Sequence, residues 1–272
     1  MKKLAILSVI LLGCEFRISD KEAKEELAEV VDIEFGKLLV EDREMHYAFL
    51  DRQKEIQLVF VHGSPGSWNA FIDYFKTDSL IEKYDMIAID RAGFGFSGFG
   101  VAEPSLETQA FQIHQVLMQF PNKRHILIGH SLGGPVIGRM AMDFPNSYTG
   151  LIFVAPSIDP ELEVDEWYRG VLDTYMGSFF TPKEFEVSND EILPLKEELQ
   201  LMLPYWGQIT IPSIIIQGTE DSLVPKENAD FAQKMMVDTL TTIELLEGVD
   251  HFIPWTHPEE IVKAIQQITD SL

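Results

Sequence analysis

Cysteine is almost missing: 272 residues contain one, Cys14. A lone cysteine excludes an internal disulfide, and Cys/His spacing of the metal-binding kind is absent, so neither a metal nor a cofactor is expected. Cations are scarce too, with 21 Lys and Arg against 44 Asp and Glu and a formal charge of -23. Such an acidic surface repels phosphate backbones, which argues against nucleic acid as a partner. The acidity is spread along the chain as on a solvated surface and says little about substrate. Internal repeats and low-complexity segments are also absent. What is present is 46% hydrophobic and 11% aromatic content, enough to bury the core of one large domain with an insertion.

The first residues, MKKLAILSVILLGCEFR, place Lys2 and Lys3 before nine apolar or small residues, Leu4 to Leu12. That pattern is an export signal's basic and hydrophobic regions, and it is shorter than the ~20 apolar residues of a membrane-spanning helix. Leu11-Leu12-Gly13-Cys14 resembles the lipobox of bacterial lipoproteins. The resemblance implies a signal peptide over 1–13, cleavage before Cys14, a diacylglyceryl anchor on its thiol and attachment to a membrane of the bacterial cell envelope. Residues 14–30, rich in Glu, Lys and Ala, would then be a tether or a short surface helix.

Beyond residue 30 the chain alternates strand-like and helix-like stretches, the pattern of an α/β fold with a mostly parallel central sheet flanked by helices. Residues 33–40 and 43–50 read as an antiparallel pair. Short runs rich in Ile, Val and Leu follow at 56–61, 86–89, 125–128, 150–154, 213–217 and 241–245, as expected of strands covered on both faces. Amphipathic stretches at 68–76, 105–119, 132–144, 226–237 and 257–270 lie between them. Residues 156–208 break the alternation and are too long for a connection, so they read as an inserted helical lid between core segments 31–155 and 209–272. Its aromatics, Trp167, Tyr168, Tyr175, Phe179, Phe180, Tyr205 and Trp206, either line a pocket or hold the insertion down, and for any one of them the second reading is favoured.

The stretch ILIGHSLGGPVIG, residues 126–138, sets Ser131 between a buried strand and a helix in a G-x-S-x-G context. There the turn strains the serine and exposes its Oγ, while the helix N-terminus offers amides to developing negative charge. A serine needs a base, and the base needs an orienting carboxylate. Among seven histidines, His251 follows the last strand in a loop that returns to the same sheet edge. Asp221 lies just after the strand at 213–217, giving the chain order Ser131, Asp221, His251. Glu220, Asp159, Asp250 and His257 are rivals of lower rank. For the oxyanion, the backbone N–H of Leu132 and that of Ser64 in HGSPG, residues 62–66, are the candidate donors. His62 is assigned to holding that loop.

Taken together, HGSPG, DRAGFGFS at 90–97, GHSLGG at 129–134, GTEDSLVP at 218–225 and DHFIPWTHPEE at 250–260 resemble the α/β-hydrolase superfamily, in its lid-bearing branch, over residues 33–272. Asp90 and Arg91 are assigned to structure. Relatives with epoxide hydrolase or haloalkane dehalogenase chemistry carry an aspartate where this chain has Ser131, which argues against both. The resemblance implies acyl transfer to water: His251, held by Asp221, deprotonates Ser131, an acyl-serine forms, and water activated by His251 releases the acid. A small or medium ester or amide is the expected substrate, with a carboxylesterase-like enzyme preferred. HGSPG is also similar to prolyl aminopeptidases, for which Glu161, Glu163, Asp165 and Glu166 would grip an amine, and carbon–carbon hydrolysis fits the same residues. A non-catalytic binding lipoprotein on this fold is the alternative from another class.

Overall fold

A computed structural model describes residues 17–163 and 181–272. Chain order gives α1 (Asp20–Leu27), β1 (Glu34–Val40), β2 (Arg43–Leu50), β3 (Ile56–Val61), a 3-10 segment Trp68–Lys76, α2 (Asp78–Ile81) and β4 (Asp85–Ile89). Next come α3 (Leu106–Leu117), β5 (Arg124–His130), α4 (Gly133–Asp143), β6 (Gly150–Val154), α5 (Lys183–Ile192) and α6 (Leu195–Met202). The chain closes with β7 (Ser213–Gly218), α7 (Glu227–Met235), β8 (Thr241–Leu246), α8 (Ile253–Thr256) and α9 (Pro258–Asp270). The strands form one eight-stranded sheet in the order β1-β2-β4-β3-β5-β6-β7-β8. β2 runs antiparallel to both β1 and β4, and the remaining pairs are parallel. The expected mostly parallel α/β sheet is therefore the fold.

Side chains alternate across the central strands, so each strand feeds two cores. Val59, Val61, Ile87, Leu127 and Phe153 pack beneath α3, α4, α6 and α7, while Leu58, Phe60, Ile126, Ile128 and Ile152 meet the 3-10 segment and α9. Both faces being dry explains the unbroken apolar runs. The 68–76 stretch is 3-10 rather than α, because the backbone leaves helical geometry at Phe71 while Trp68, Phe71, Tyr74 and Phe75 are driven into the core.

Two segments differ from the sequence reading. Residues 20–27, read as part of a tether or a short surface helix, do form a helix, opened by a Ser19/Glu22 capping box, but it is docked on the body, with Ala23 and Leu27 fully buried. Asp20 Oδ1 lies 3.1 Å from His46 Nε2, and His46 Nδ1 lies 2.7 Å from Asp90 Oδ2. Arg17 donates to Gly95 O at 3.2 Å and sits 3.9 Å over the Phe99 ring. This segment is thus fastened to the turn after β4. The second difference concerns the insertion: Leu195, Leu199, Met202 and Trp206 belong to the core under α4. Trp206 holds its segment down, as read, while Tyr205 is exposed. Cys14, the signal segment, Asp165, Glu166, Trp167, Tyr168, Tyr175, Phe179 and Phe180 lie outside the described residues.

Candidate active site

Parallel strands β3, β4, β5 and β7 end at one edge of the sheet, and the loops that follow them carry the chemistry. Ser131 comes directly after β5 with φ +54°, a left-handed conformation rare for a residue with a side chain. Its N–H donates to Val154 O at 2.9 Å and its carbonyl accepts from Gly134 N at the same distance, so neighbouring elements fix the strained turn. Glycine is required on both sides. A Cβ at Gly129 would lie 2.4 Å from Gly133 O, and one at Gly133 would lie 2.3 Å from Val61 O.

The loops after β7 and β8 bring Asp221 and His251 together, with His251 Nδ1 donating to Asp221 Oδ2 at 2.7 Å. The Asp221 carboxylate is entirely buried and fully engaged. Its Oδ1 accepts from the amides of Leu223 at 2.9 Å and Val224 at 2.8 Å, and its Oδ2 also takes Gln217 Nε2 at 3.2 Å. Buried charge held by this many donors stays oriented. Glu220 points to solvent, Asp159 accepts from Glu161 N in a local turn, and Asp250 accepts from Phe252 N. None of these rivals reaches the His251 ring among the described contacts.

Ser131 Oγ makes no hydrogen bond among the described residues, and its chain neighbour His130 packs against His251. His130 Nε2 donates to His251 O at 3.1 Å, and its ring lies 4.8 Å from that of His251 and 5.4 Å from that of Trp255. Burial, with His251 nearby, pushes the His130 pKa down to about 3, so it stays neutral and serves as a fixed wall. Sequence reasoning ranked neither His130 nor Gln217. The only available signal was His130 inside the G-x-S-x-G pentapeptide.

HGSPG passes beside the elbow, with a Cβ at Gly63 falling 2.9 Å from Ser131 Cβ. Neither the Ser64 nor the Leu132 amide hydrogen is spent on an acceptor among the described residues. His62 holds the loop as expected: Nδ1 donates to Gly63 O at 2.7 Å while Nε2 accepts from the Arg91 amide at 2.9 Å. Burial first, and then the Arg91 charge, hold its pKa well below the usual range, so it is a neutral tautomer. Asp90 braces the following turn by accepting from the amides of Trp68 and Phe96.

A doubly covered parallel sheet whose fifth strand runs into a strained serine turn, with a buried histidine–aspartate pair at the same edge, defines an α/β protein built to present a serine. The chain belongs to the alpha/beta hydrolase fold family, whose family model matches residues 57–202. Among curated proteins it is similar to protein ABHD8 of Mus musculus, at 22% identity over 242 residues covering 77% of this chain and 54% of the relative. The chain thus spans about half the length of that relative. It is also similar to the putative carbamate hydrolase RutD of Escherichia coli O1:K1 / APEC, at 30% identity over 98 residues, 36% of each chain. Among solved structures, that of a membrane phospholipase A described as a novel bacterial virulence factor superposes with a TM-score of 0.69 at 18% identity, covering 98% of this chain and 95% of that one.

Proposed function

We propose that this chain is a serine hydrolase that cleaves an ester bond in a small or medium substrate through an acyl-serine intermediate. The observation that carries this reading is the 2.7 Å His251–Asp221 hydrogen bond at the sheet edge where Ser131 is held at φ +54°. In this reading His251 takes the Ser131 proton as Oγ attacks the carbonyl, and Asp221 keeps the imidazole in the required tautomer. The Leu132 and Ser64 amides receive the oxyanion. His251 then protonates the leaving alcohol, and water activated by the same ring releases the acid. Of the four carboxylates weighed as amine receptors, Glu163 accepts a hydrogen bond from Ser157 and Glu161 is exposed to solvent, while Asp165 and Glu166 lie outside the described residues. A fluorophosphonate probe tests the reading: wild-type protein is expected to label at Ser131, and Ser131→Ala is expected not to. Folded wild-type protein that stays unlabelled would overturn it.

The second part of the reading is an envelope lipoprotein anchored through Cys14. Support comes from the lipobox-like Leu11-Leu12-Gly13-Cys14. An envelope anchor would place lipid esters among the candidate substrates beside the small soluble ones. Mass spectrometry of the mature N-terminus is expected to show a diacylglyceryl-modified Cys14 as its first residue, and a retained Met1 or an unmodified thiol would remove the anchor.

A further inference from the structure

One buried ion pair crosses from the insertion to the oxyanion loop. Arg91 is fully buried and all five of its N–H bonds are used. Nη1 and Nη2 grip the Glu191 carboxylate of α5 at 2.7 and 2.8 Å, and Nη1 also donates to Gln109 Oε1 at 2.7 Å. The other two donors go to the backbone of HGSPG, Nε to His62 O at 2.8 Å and Nη2 to Gly63 O at 2.9 Å. His62 Nδ1 is the second donor to Gly63 O, so both lone pairs of that carbonyl are taken.

This carbonyl belongs to the peptide unit that carries the Ser64 N–H. The Gly63–Ser64 bond is trans, and a trans peptide is planar with its C=O and N–H pointing in opposite directions. Two donors on Gly63 O therefore fix the direction of the Ser64 amide hydrogen. Further along α5, Ser188 Oγ accepts from the Ser64 hydroxyl at 2.8 Å, and Val187 packs against Gly93. The same helix thus holds the Ser64 peptide on the carbonyl side through Arg91 and on the side-chain side through Ser188.

We infer that Glu191, acting through Arg91, is a positioning residue for the oxyanion hole, so that α5 of the insertion sets the geometry of the donor amide. The inference rests on the acyl-transfer reading, in which the Ser64 N–H stabilises the tetrahedral intermediate. Its function is directional. A donor misaimed by a few tens of degrees still admits substrate but stabilises the oxyanion less, so the loss falls on kcat rather than KM.

Glu191→Gln in the full chain is the test, because the amide keeps the size of the carboxylate but turns an N–H toward one Arg91 donor. Expected are a 10- to 100-fold fall in kcat on an activated ester with KM within threefold, and an unchanged midpoint in the pH–rate profile, since His251 and Asp221 are untouched. The preference for that ester over its thionoester should fall by a similar factor, because the larger, softer sulfur gains less from an oxyanion hole. A purely structural role would slow both substrates equally. A kcat and an ester-to-thionoester ratio within twofold of wild type would overturn the inference, as would equal slowing of both substrates. Should Glu191→Gln fail to fold, Ser188→Ala carries the test: a two- to fivefold fall in the same ratio supports the positioning role, and an unchanged ratio sinks it. Wild-type protein that neither labels with fluorophosphonate nor hydrolyses the ester fails at the acyl-transfer reading itself, whereas an active wild type with unaffected variants fails only here.

Discussion

Ser131→Ala is expected to lower kcat/KM on a reactive ester by about 100,000-fold while leaving the thermal midpoint within about 2 °C of wild type. Alanine keeps the Cβ, so the strain of φ +54° and the Val154 and Gly134 hydrogen bonds carry over, and only the nucleophile is lost. Asp221→Asn should cost about 10,000-fold by a different route. The asparagine oxygen can keep the Leu223 and Val224 amides, but its NH2 then faces His251 Nδ1 and Gln217 Nε2, both donors in the wild-type arrangement. Relief requires the His251 ring to shift its proton to Nε2, the nitrogen that must accept from serine. If the two residues act as one unit, as proposed, the Ser131→Ala/Asp221→Asn double variant should be no slower than Ser131→Ala alone. Steady-state kinetics with a melting curve for each variant check this. Multiplicative losses, or a Ser131→Ala enzyme retaining more than a hundredth of the wild-type rate, would mean that chemistry runs through another group.

The sheet was legible because its central strands are buried on both faces and so appear as unbroken Ile, Val and Leu runs of strand length; β8, read the same way, is an edge strand with Leu245 exposed. Strand boundaries differ by one or two residues; β5, for example, continues through Gly129 and His130 up to the turn. The elbow was legible because tight approach demands glycine at fixed offsets, and Asp221 is read from its place in the turn after the strand at 213–217, with adjacent Glu220 a rival that chain order does not separate from it. What resisted reading was pairing at a distance. Arg91 and Glu191 stand 100 positions apart with no periodicity to join them, and each alone looks like an ordinary charge on a highly charged chain. Asp20 and His46 were hidden likewise, because α1 has few apolar residues and the pair that docks it, Ala23 and Leu27, is small. Substrate identity stayed illegible for a further reason, since much of the aromatic content of the insertion falls at 167–180, outside the described residues.

Trp206→Ala is expected to destabilise the fold by about 3–5 kcal/mol and to lower the thermal midpoint by roughly 10 °C. This follows from where the insertion's second half sits. The Trp206 indole is fully buried, with its ring centroid 6.2 Å from that of Phe153 in β6 and 5.7 Å from that of Phe231 in α7. It also crowds Gly138 of α4, where a Cβ would lie 3.0 Å from Trp206 Cη2. Three elements of the body surround one side chain, so truncation leaves a cavity that no single element can close. A lid hinged to swing as one piece from residue 156 to 208 would bury little of this surface, and the same substitution would then cost less than about 1 kcal/mol. Tyr205→Ala, at the neighbouring exposed position, is the control, expected within about 0.5 kcal/mol. Urea unfolding of both variants separates the alternatives. A large Trp206 effect means that the chain following α6 is anchored in the core, which gives α5 and α6 before it, with Glu191 and Ser188 on α5, a fixed base from which to aim the Ser64 amide.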